Sequence, residues 1–414
     1  MKLGRNARIC LGTFPFWAVP YTIYIYYLSL YLMERGISSS EIASLMTVAN
    51  ASALVFSVVA APVVDRMGRR NATLVFDLLS SALPCLLFLI SGNIVVALIA
   101  QMATGMNRIM STGYYLLMIE NTEESNSVSA MNWFNIILVG AGLTTPLAGI
   151  VVSRMGVLDG ERLFLVISFV CMTVQAIVRH VLVTETPTGI AVRNSKNRFS
   201  LSETVRDYGK TIKYMVSNRK VLDAMIINSL IYVYYTVGTT ISLFFTPYFS
   251  EYRGLSGVRL GLVGGIYAGG TLFSMILINP RIKPKHLYIY AIQASMVSLG
   301  GFALLMFCPM GNNWMLFTAV ALISLSYGAL KTIADSLLAL QMTNEFSTGL
   351  YAISFILASV LGIIAIQVIE ALYTKSPDWL FGFSAIIIAL VLITALMHKA
   401  TASKKRKNMN LTLK

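Results

Sequence analysis

The stretch LVFSVVAAPVVDRMGRRNATLVFDLL, residues 54–79, places a short charged turn between two apolar runs. The run before the turn extends back to residue 39, and the run after it extends on to residue 91. Each run reaches the length of about 20 apolar residues that a helix needs to cross a bilayer. A turn as short as residues 65–70 holds no further element, so the sequence predicts two antiparallel membrane-spanning helices here.

The same alternation of apolar runs and polar gaps continues over the whole chain of 414 residues. Hydrophobic residues make up 56% of the chain and charged residues 12%, and the mean hydropathy is +0.72. A typical soluble domain is about a quarter charged, so this composition excludes a water-soluble fold. It predicts an all-α polytopic membrane protein with twelve transmembrane helices. The candidate spans are residues 9–33, 39–64, 71–91, 93–119, 127–153, 162–183, 221–247, 257–279, 287–308, 313–341, 346–371 and 379–398.

The net charge of +14 is divided unevenly between the two sides of the membrane. If the amino terminus is cytoplasmic, 24 Lys and Arg residues fall in the inner segments and six in the outer segments. Cytoplasmic loops of membrane proteins are rich in Lys and Arg. We therefore expect both termini to be cytoplasmic, in a bacterial cytoplasmic membrane with an anionic inner leaflet, and we expect no nucleic-acid partner.

The longest polar gap, residues 184–220, divides the chain into halves. We expect an N-terminal six-helix bundle at 1–183, a cytoplasmic linker at 184–220, a C-terminal six-helix bundle at 221–400 and a basic cytoplasmic tail at 401–414. Within the linker, residues 200–216 carry apolar side chains at helical spacing opposite basic ones. This segment is either an amphipathic helix on the inner leaflet or a solvated linker helix.

The two halves share a short pattern. Span four contains Gly105-Met-Asn-Arg108 and span ten contains Gly328-Ala-Leu-Lys331, at nearly the same depth. Together with six spans in each half, the shared spacing predicts an internal repeat of the parallel type found in transporters.

Residue types that carry catalysis or bind metals are scattered along the chain. The four cysteines and three histidines do not cluster, and no C-x-x-C or H-E-x-x-H spacing occurs. No G-x-x-x-x-G-K-[ST] sequence occurs, so ATP is not the direct energy source. We expect no metal, no cofactor and no enzyme activity.

The amino-terminal apolar run shows no small-residue cleavage pattern and is expected to be retained as the first helix.

The charged turn reads Ala61-Pro-Val-Val-Asp65-Arg-Met-Gly68-Arg69-Arg70. It resembles the signature loop of the major facilitator superfamily, G-x-x-x-D-R-x-G-R-R, with Ala61 in place of the usual glycine. The resemblance implies two pseudo-symmetric six-helix bundles and transport by alternating access. It also implies that Asp65 faces the start of span eleven, residues 344–347, and latches the cytoplasmic side shut.

The glycine and the arginines of this turn complete the expected conformational gate. Gly68 allows a tight turn, and Arg66, Arg69 and Arg70 anchor the turn at the inner surface. The alternative is that the arginines only satisfy the positive-inside rule. We expect Asp65→Asn to weaken transport while leaving membrane insertion intact.

Ionisable residues inside a bilayer are costly and mark a pathway by default. Arg108 and Lys331 fall near the midplane, where transporters of this architecture bind their substrate. Asp335 follows Lys331 by one helical turn, so the two either form a structural pair or handle substrate or protons. Asp77 in span three could form a bridge to Arg108 that opens during transport, or a static one.

Two partial motifs hint at export. Drug–proton antiporters of the family usually carry R-x-x-x-G in span four, whereas this chain has Arg108 and Gly113 one residue further apart. Span five has Ala141-x-x-x-Thr145-Pro146-x-x-Gly149, a degenerate form of the exporter motif G-x-x-x-G-P-x-x-G. We therefore expect a proton-coupled exporter of a small amphiphilic, zwitterionic or anionic solute, working as a monomer. An importer of sugars, organic acids or peptides is the alternative, and a non-transporting receptor or polytopic membrane enzyme comes after it.

Polar and aromatic residues recur on single helix faces. Span seven carries such a stripe at steps of three and four residues, and span one carries several tyrosines. Mid-span tyrosines either line a cavity or pack between helices. The stripe consists of Asn228, Tyr232, Tyr235, Thr239 and Ser242, and the mid-span tyrosine of span one is Tyr24.

Overall fold

The computed structural model describes residues 4–120, 124–194, 201–341 and 347–412. These parts of the chain contain helices and turns and no strand, which confirms the all-α prediction. The α-helices are α1 Arg5–Thr13, α2 Pro15–Glu34, α3 Ser39–Met67, α4 Arg69–Asp77, α5 Leu83–Ile90, α6 Ile94–Thr104, α7 Asn107–Ile119, α8 Glu124–Gly140, α9 Thr145–Leu182, α10 Pro187–Asn194, α11 Leu201–Ser217, α12 Arg219–Gly238, α13 Phe245–Pro247, α14 Gly257–Phe273, α15 Leu287–Met306, α16 Asn313–Ala339, α17 Ser347–Tyr373 and α18 Trp379–Thr412.

Eleven helical stretches of the described residues are long and apolar enough to cross a membrane. One of them, Trp133–Leu182, has 50 residues, about 75 Å at 1.5 Å per residue, more than twice the thickness of a bilayer core. It covers predicted spans five and six. The gap expected at residues 154–161 is helical except at Gly156, where φ of 81° bends the chain. The count of twelve crossings therefore stays a prediction, with Gly156 as the point where this stretch turns.

Span three is interrupted immediately after Asp77. Residues Leu78–Ala82 form a π-helical turn, in which the amide of Leu83 donates to the carbonyl of Leu78. Pro84 explains the interruption, because proline has no N–H and its ring clashes with the carbonyl four residues earlier. Such turns are common at functional sites, and Asp77, directly before this one, is buried in unit 1.

The helix of span seven ends before the predicted boundary at residue 247. Helix α12 stops at Gly238, and the chain turns before the short helix α13. A Cβ on Gly238 would lie 2.5 Å from the Ser384 hydroxyl oxygen, so α18 packs directly against this point. Thr239 and Ser242 therefore lie beyond the helix, and extending the polar stripe to them was wrong.

The helices group into two compact units. Unit 1 comprises Met1–Phe199 with Phe249–Gly265, and unit 2 comprises Ser200–Tyr248 with Ile266–Lys414. In unit 1, α2 packs along α9 and α4 packs along α7; in unit 2, α15 packs along α16 and α18. The predicted domain boundaries at 183, 220 and 400 stay predictions.

Helix α11 lies within the predicted linker. The side chain of Met215 is buried with Val221 and Met225 in a core cluster of unit 2, whereas Lys210 and Lys213 are exposed. The amphipathic pattern thus packs one apolar position against the unit's own core. Residue 200, the first of this predicted segment, lies outside the described residues.

Candidate functional site

The charged turn between α3 and α4 is held by an ion-pair network inside unit 1. Gly68 adopts φ of 84°, which a residue with a Cβ rarely takes. The guanidinium of Arg69 is almost fully buried and contacts Asp65 at 2.9 Å and Glu120 at 3.2 Å. Arg66 is exposed at the surface, as an anchoring residue should be.

The segment after α9 folds back over this turn. Glu185 accepts a hydrogen bond from the backbone amide of Arg70 at 3.1 Å, and the Arg70 side chain donates to the carbonyl of His180 at 2.8 Å. The hydroxyl of Thr186 donates to Glu120. Both glutamates closely follow the ends of predicted spans, at 119 and 183, and this position was the one sequence signal for them.

The predicted partner of Asp65 is the start of span eleven. Residues 344–346, at the start of span eleven, lie outside the described residues. The contact that the structure shows for Asp65 is with Arg69, one helical turn away. The latch between Asp65 and span eleven therefore stays a prediction.

Asp77 pairs with Arg179 and not with Arg108. The carboxylate and guanidinium lie 3.0 Å apart, and their side chains are 1% and 2% exposed. The predicted Asp77–Arg108 bridge was wrong. Arg179, near the end of predicted span six, is one of the 24 Lys and Arg residues counted on the inner side, whereas α9 carries it into the interior of unit 1. Arg108 lies partly buried on α7.

Further polar groups extend this buried pair on both sides. Ser81 donates to Asp77 at 2.9 Å and accepts from the indole N–H of Trp17 at 2.9 Å. On the other side, the guanidinium of Arg179 lies 5.2 Å from the ring centroid of Tyr114, a distance at which a cation is attracted to the ring face. The result is a continuous polar chain through the interior of unit 1.

In unit 2, Lys331 and Asp335 form an accessible pair. The ammonium and carboxylate lie 2.5 Å apart, and the side chains are 35% and 53% exposed. Asn228 of α12 donates to the other carboxylate oxygen at 3.3 Å. The structure thus joins three predicted site residues from two helices, each with its side chain at least partly exposed.

An aromatic wall adjoins this cluster on α12. Tyr232 and Tyr235 are half-buried, with ring centroids 6.0 Å apart. The ring of Tyr235 stacks on Tyr327 of α16 at 6.5 Å and 10°. By contrast, Tyr24 of α2 is only 1% exposed and packs edge-on against Tyr21. In this structure Tyr24 fits the packing alternative, whereas cavity lining by Tyr232 and Tyr235 stays a prediction.

The Gly-x-x-cation pattern has the same steric basis in both units. A Cβ on Gly105 would lie 2.8 Å from the backbone nitrogen of Ala53 in span two. A Cβ on Gly328 would lie 2.8 Å from the carbonyl oxygen of Thr271 in span eight. Each glycine therefore lets its helix approach the corresponding neighbour, which supports the predicted internal repeat.

The degenerate exporter motif lies at another close helix contact within unit 1. A Cβ on Gly149 would lie 2.7 Å from the carbonyl oxygen of Gly257. The hydroxyl of Thr145 donates to the carbonyl of Gly261 at 3.0 Å, and that of Tyr26 donates to Leu260 at 2.7 Å. Small residues on both helices allow this approach.

Among the described residues, no group of three or more His, Cys, Asp and Glu could hold a metal ion.

A family model described as Major Facilitator Superfamily matches residues 9–365. The chain belongs to the Major Facilitator Superfamily. It is therefore a multi-pass membrane protein with the fold of a transporter, and the resemblance seen in the charged turn is confirmed. No curated protein matches this superfamily member.

Solved structures share the superfamily fold with this chain. A bacterial metal transporter aligns with a TM-score of 0.66 at 13% identity, covering 96% of this chain and 99% of that one. The xylose transporter XylE from E. coli, in a partially occluded inward-open conformation, aligns with a TM-score of 0.66 at 13% identity, covering 93% and 95%. A D-xylose–proton symporter aligns with a TM-score of 0.67 at 12% identity, covering 94% and 96%.

Proposed function

We propose that the chain is a proton-coupled exporter of a small amphiphilic, zwitterionic or anionic solute, working by alternating access in a bacterial cytoplasmic membrane as a monomer. The observation that carries the proposal is the accessible Lys331–Asp335 pair, bonded to Asn228 beside the tyrosines of α12. Ionisable residues within membrane spans are costly and typically line a pathway.

The chemistry of this cluster favours a ligand that carries both charges or a ring. Lys331 offers a cation for a carboxylate or phosphate, and Asp335 offers an anion for an amine. A zwitterion could replace the internal pair without leaving either side chain uncompensated. The rings of Tyr232 and Tyr235 add an apolar surface with polar edges, which suits an amphiphilic ligand.

The remaining candidate residues have supporting roles in the proposal. Arg108 is a pathway residue of unit 1, where it lies partly buried on α7. The turn of Asp65, Arg66, Gly68, Arg69 and Arg70 acts as the gate, supported by the Glu120 and Glu185 contacts. Asp77 keeps Arg179 neutralised inside unit 1 rather than meeting substrate. Tyr24 holds span one in place.

Export is preferred because span five retains most of the exporter motif, and that motif lies at a close helix contact. Import is the second candidate, because two of the similar structures are a xylose transporter and a xylose–proton symporter. Both candidates use a proton gradient, so the direction of coupled movement distinguishes them.

The first experiment identifies the ligand. Purified protein is screened by thermal shift against amino acids, organic acids, amphiphilic amines and D-xylose. A ligand of the proposed site raises the melting temperature of the wild type and not that of Lys331→Ala. Arg162→Ala removes one partner of an exposed pair elsewhere and should leave the shift unchanged. A shift that survives Lys331→Ala would contradict the site.

The second experiment tests direction. A pH gradient is imposed across membrane vesicles of either orientation, and uptake of the identified ligand is measured. An exporter accumulates ligand in inverted vesicles that are acidic inside. Accumulation only in right-side-out vesicles that are acidic outside would favour the importer, and binding without any flux would favour a receptor.

A further inference from the structure

Glu161 is a fully buried carboxylate that the sequence analysis did not single out. It lies on α9, five residues after the bend at Gly156, and its exposed fraction is 0%. Neither carboxylate oxygen has a hydrogen-bond partner among the described residues. An ionised carboxylate in this position would lose its hydration without compensation. The site therefore favours a carboxyl group that carries its proton.

The titratable groups that face Glu161 come from two neighbouring helices. The hydroxyls of Tyr24 and Tyr27 on α2 and the thiol of Cys85 on α5 lie within electrostatic range of the carboxylate. None of them is a cation. On its own helix, Arg162 is exposed and pairs with Asp159 at 3.0 Å. The hydroxyl of Tyr27 is also buried without a hydrogen-bond partner, so an unused O–H donor lies within electrostatic range of the carboxyl group.

A cleft opens close to this carboxyl group. Its volume is about 690 Å³, and it lies at the end of unit 1 that holds Gly156, away from the charged turn at Gly68. Val152 lines the cleft. Its side chain also packs against Gly160, because a Cβ added there would lie 3.2 Å from it. Glu34 and Arg259 are the charged residues in the lining. Val157, which also lines the cleft, precedes Glu161 on α9 by four residues, about one helical turn.

Buried polar residues continue from Glu161 along the same face of α9. Ser168, Gln175 and Arg179 follow at steps of seven, seven and four residues, which places them on one stripe. Both amide atoms of Gln175 are buried without a hydrogen-bond partner among the described residues. Over 18 residues the stripe extends about 27 Å and ends at the Asp77–Arg179 pair.

We propose that Glu161 is a proton-binding site of unit 1, loaded from the cleft at Gly156, whose carboxyl group loses and regains its proton during transport. The inference deepens the proposed proton coupling and rests on it for its physiological meaning. The proton passes between the carboxyl group and water, so no other reactant is needed.

Infrared difference spectroscopy tests proton binding without knowledge of the substrate. Purified protein in lipid is compared in acidic and alkaline buffer. In the wild type, the C=O stretching band of a buried carboxylic acid should disappear on alkalinisation. The band should be absent from Glu161→Gln and unchanged in Asp159→Asn, which removes an exposed carboxylate from the same helix. An unaltered band in Glu161→Gln, or a wild-type band that never titrates, would overturn the proposal.

A pH-indicator dye gives a second measurement in case Glu161→Gln folds poorly. After a jump to alkaline buffer, Tyr27→Phe should release its protons with altered kinetics, because the neighbouring hydroxyl is lost, whereas Asp159→Asn should match the wild type. Identical release from Tyr27→Phe and the wild type would contradict the role of the Tyr27 contact. Neither measurement needs transport. Titration of Glu161 in a protein that moves no solute would leave the site intact and refute the proposed function, whereas transport without titration would refute only the site.

Discussion

At the scale of single residues, burial separates two kinds of ion pair in this transporter. Asp77 and Arg179 are enclosed in unit 1, whereas Asp159 and Arg162 are more than half exposed. Removing one partner of a buried pair leaves an uncompensated charge at a cost of about 3–5 kcal/mol. An exposed pair contributes about 0–1 kcal/mol, because water solvates and screens both groups.

We therefore expect Asp77→Ala to destabilise the protein strongly, since Arg179 would remain buried without its carboxylate. Thermal unfolding in detergent measures the effect. Asp159→Ala is the matched control and should change the melting temperature little. The double variant Asp77→Leu with Arg179→Met removes both charges and should recover much of the lost stability. Equal losses in Asp77→Ala and Asp159→Ala would show that the buried pair has no special role.

The sequence revealed Asp77 but not its partner. Asp77 stands alone in an apolar run, and an isolated charge of this kind is easy to recognise. Arg179 lies four residues from the end of its span and looked like part of the basic linker. Its burial depends on how α9 packs against α4 and α7, which periodicity in one helix does not specify. Glu161 was missed for the same reason, because it lies in what looked like an outer gap.

At the scale of the elements, the turn between α3 and α4 combines an unusual backbone with a close side-chain contact. Gly68 and Gly36 both have positive φ values, 84° and 88°. A Cβ on Gly36 would meet nothing within 4 Å, but a Cβ on Gly68 would lie 2.5 Å from a carboxylate oxygen of Glu185. That carboxylate is held by the backbone amides of Arg70 and Thr186.

We expect Gly68→Ala to lower the melting temperature more than Gly36→Ala. Both variants carry backbone strain of about 1–3 kcal/mol, because both positions have a positive φ, but only the first also displaces Glu185. Adding Glu185→Ala should narrow the difference between the two glycine variants, with Glu185→Ala alone as reference. If Gly68→Ala and Gly36→Ala behave alike, the folded-back segment does not hold the turn.

The contact between spans five and eight gives a second prediction about elements. A Cβ on Gly149 would lie 2.7 Å from the Gly257 carbonyl oxygen, so backbone atoms would have to move. Overpacking of this kind typically costs about 1–3 kcal/mol. We expect Gly149→Ala to lower the melting temperature. We also expect it to slow transport, which can be measured with the substrate that the thermal-shift screen identifies. Gly300→Ala, whose Cβ would meet nothing within 4 Å, is the control and should be neutral or slightly stabilising. A stable Gly149→Ala variant would show that the two helices do not need this approach.

The elements themselves were largely predictable, and their ends were not. Apolar runs of about 20 residues identified the spans, because a bilayer demands them. The early end of α12 at Gly238 and the helical continuation through residues 154–161 were missed. Gly238 lies against Ser384 of a distant helix, and Gly156 takes a positive φ within a stretch that is otherwise helical despite its polar residues. Neither feature follows from local hydropathy.

At the scale of the whole molecule, the repeat was visible in the sequence, but the composition of the units was not. The Gly-x-x-cation pattern of spans four and ten corresponds to the same steric contact in each unit. By contrast, residues Phe249–Gly265 belong to unit 1 although they follow α12 of unit 2 in the chain. Span eight is therefore divided between units, and no charge or linker marks the division.

Orientation in the membrane is the property of the whole chain that the charge distribution predicts most directly. Helix α15, Leu287–Met306, is long and apolar enough to cross the membrane. Lys283 before it and Trp314 after it should therefore lie on opposite sides. Both side chains are exposed. Because the segment around Lys283 is basic, we expect it to face the cytoplasm. In a cysteine-free background, a membrane-impermeant maleimide should label Trp314→Cys in intact cells and Lys283→Cys only after permeabilisation. The reverse pattern would invert the orientation, and labelling of both in intact cells would show that α15 does not span the bilayer.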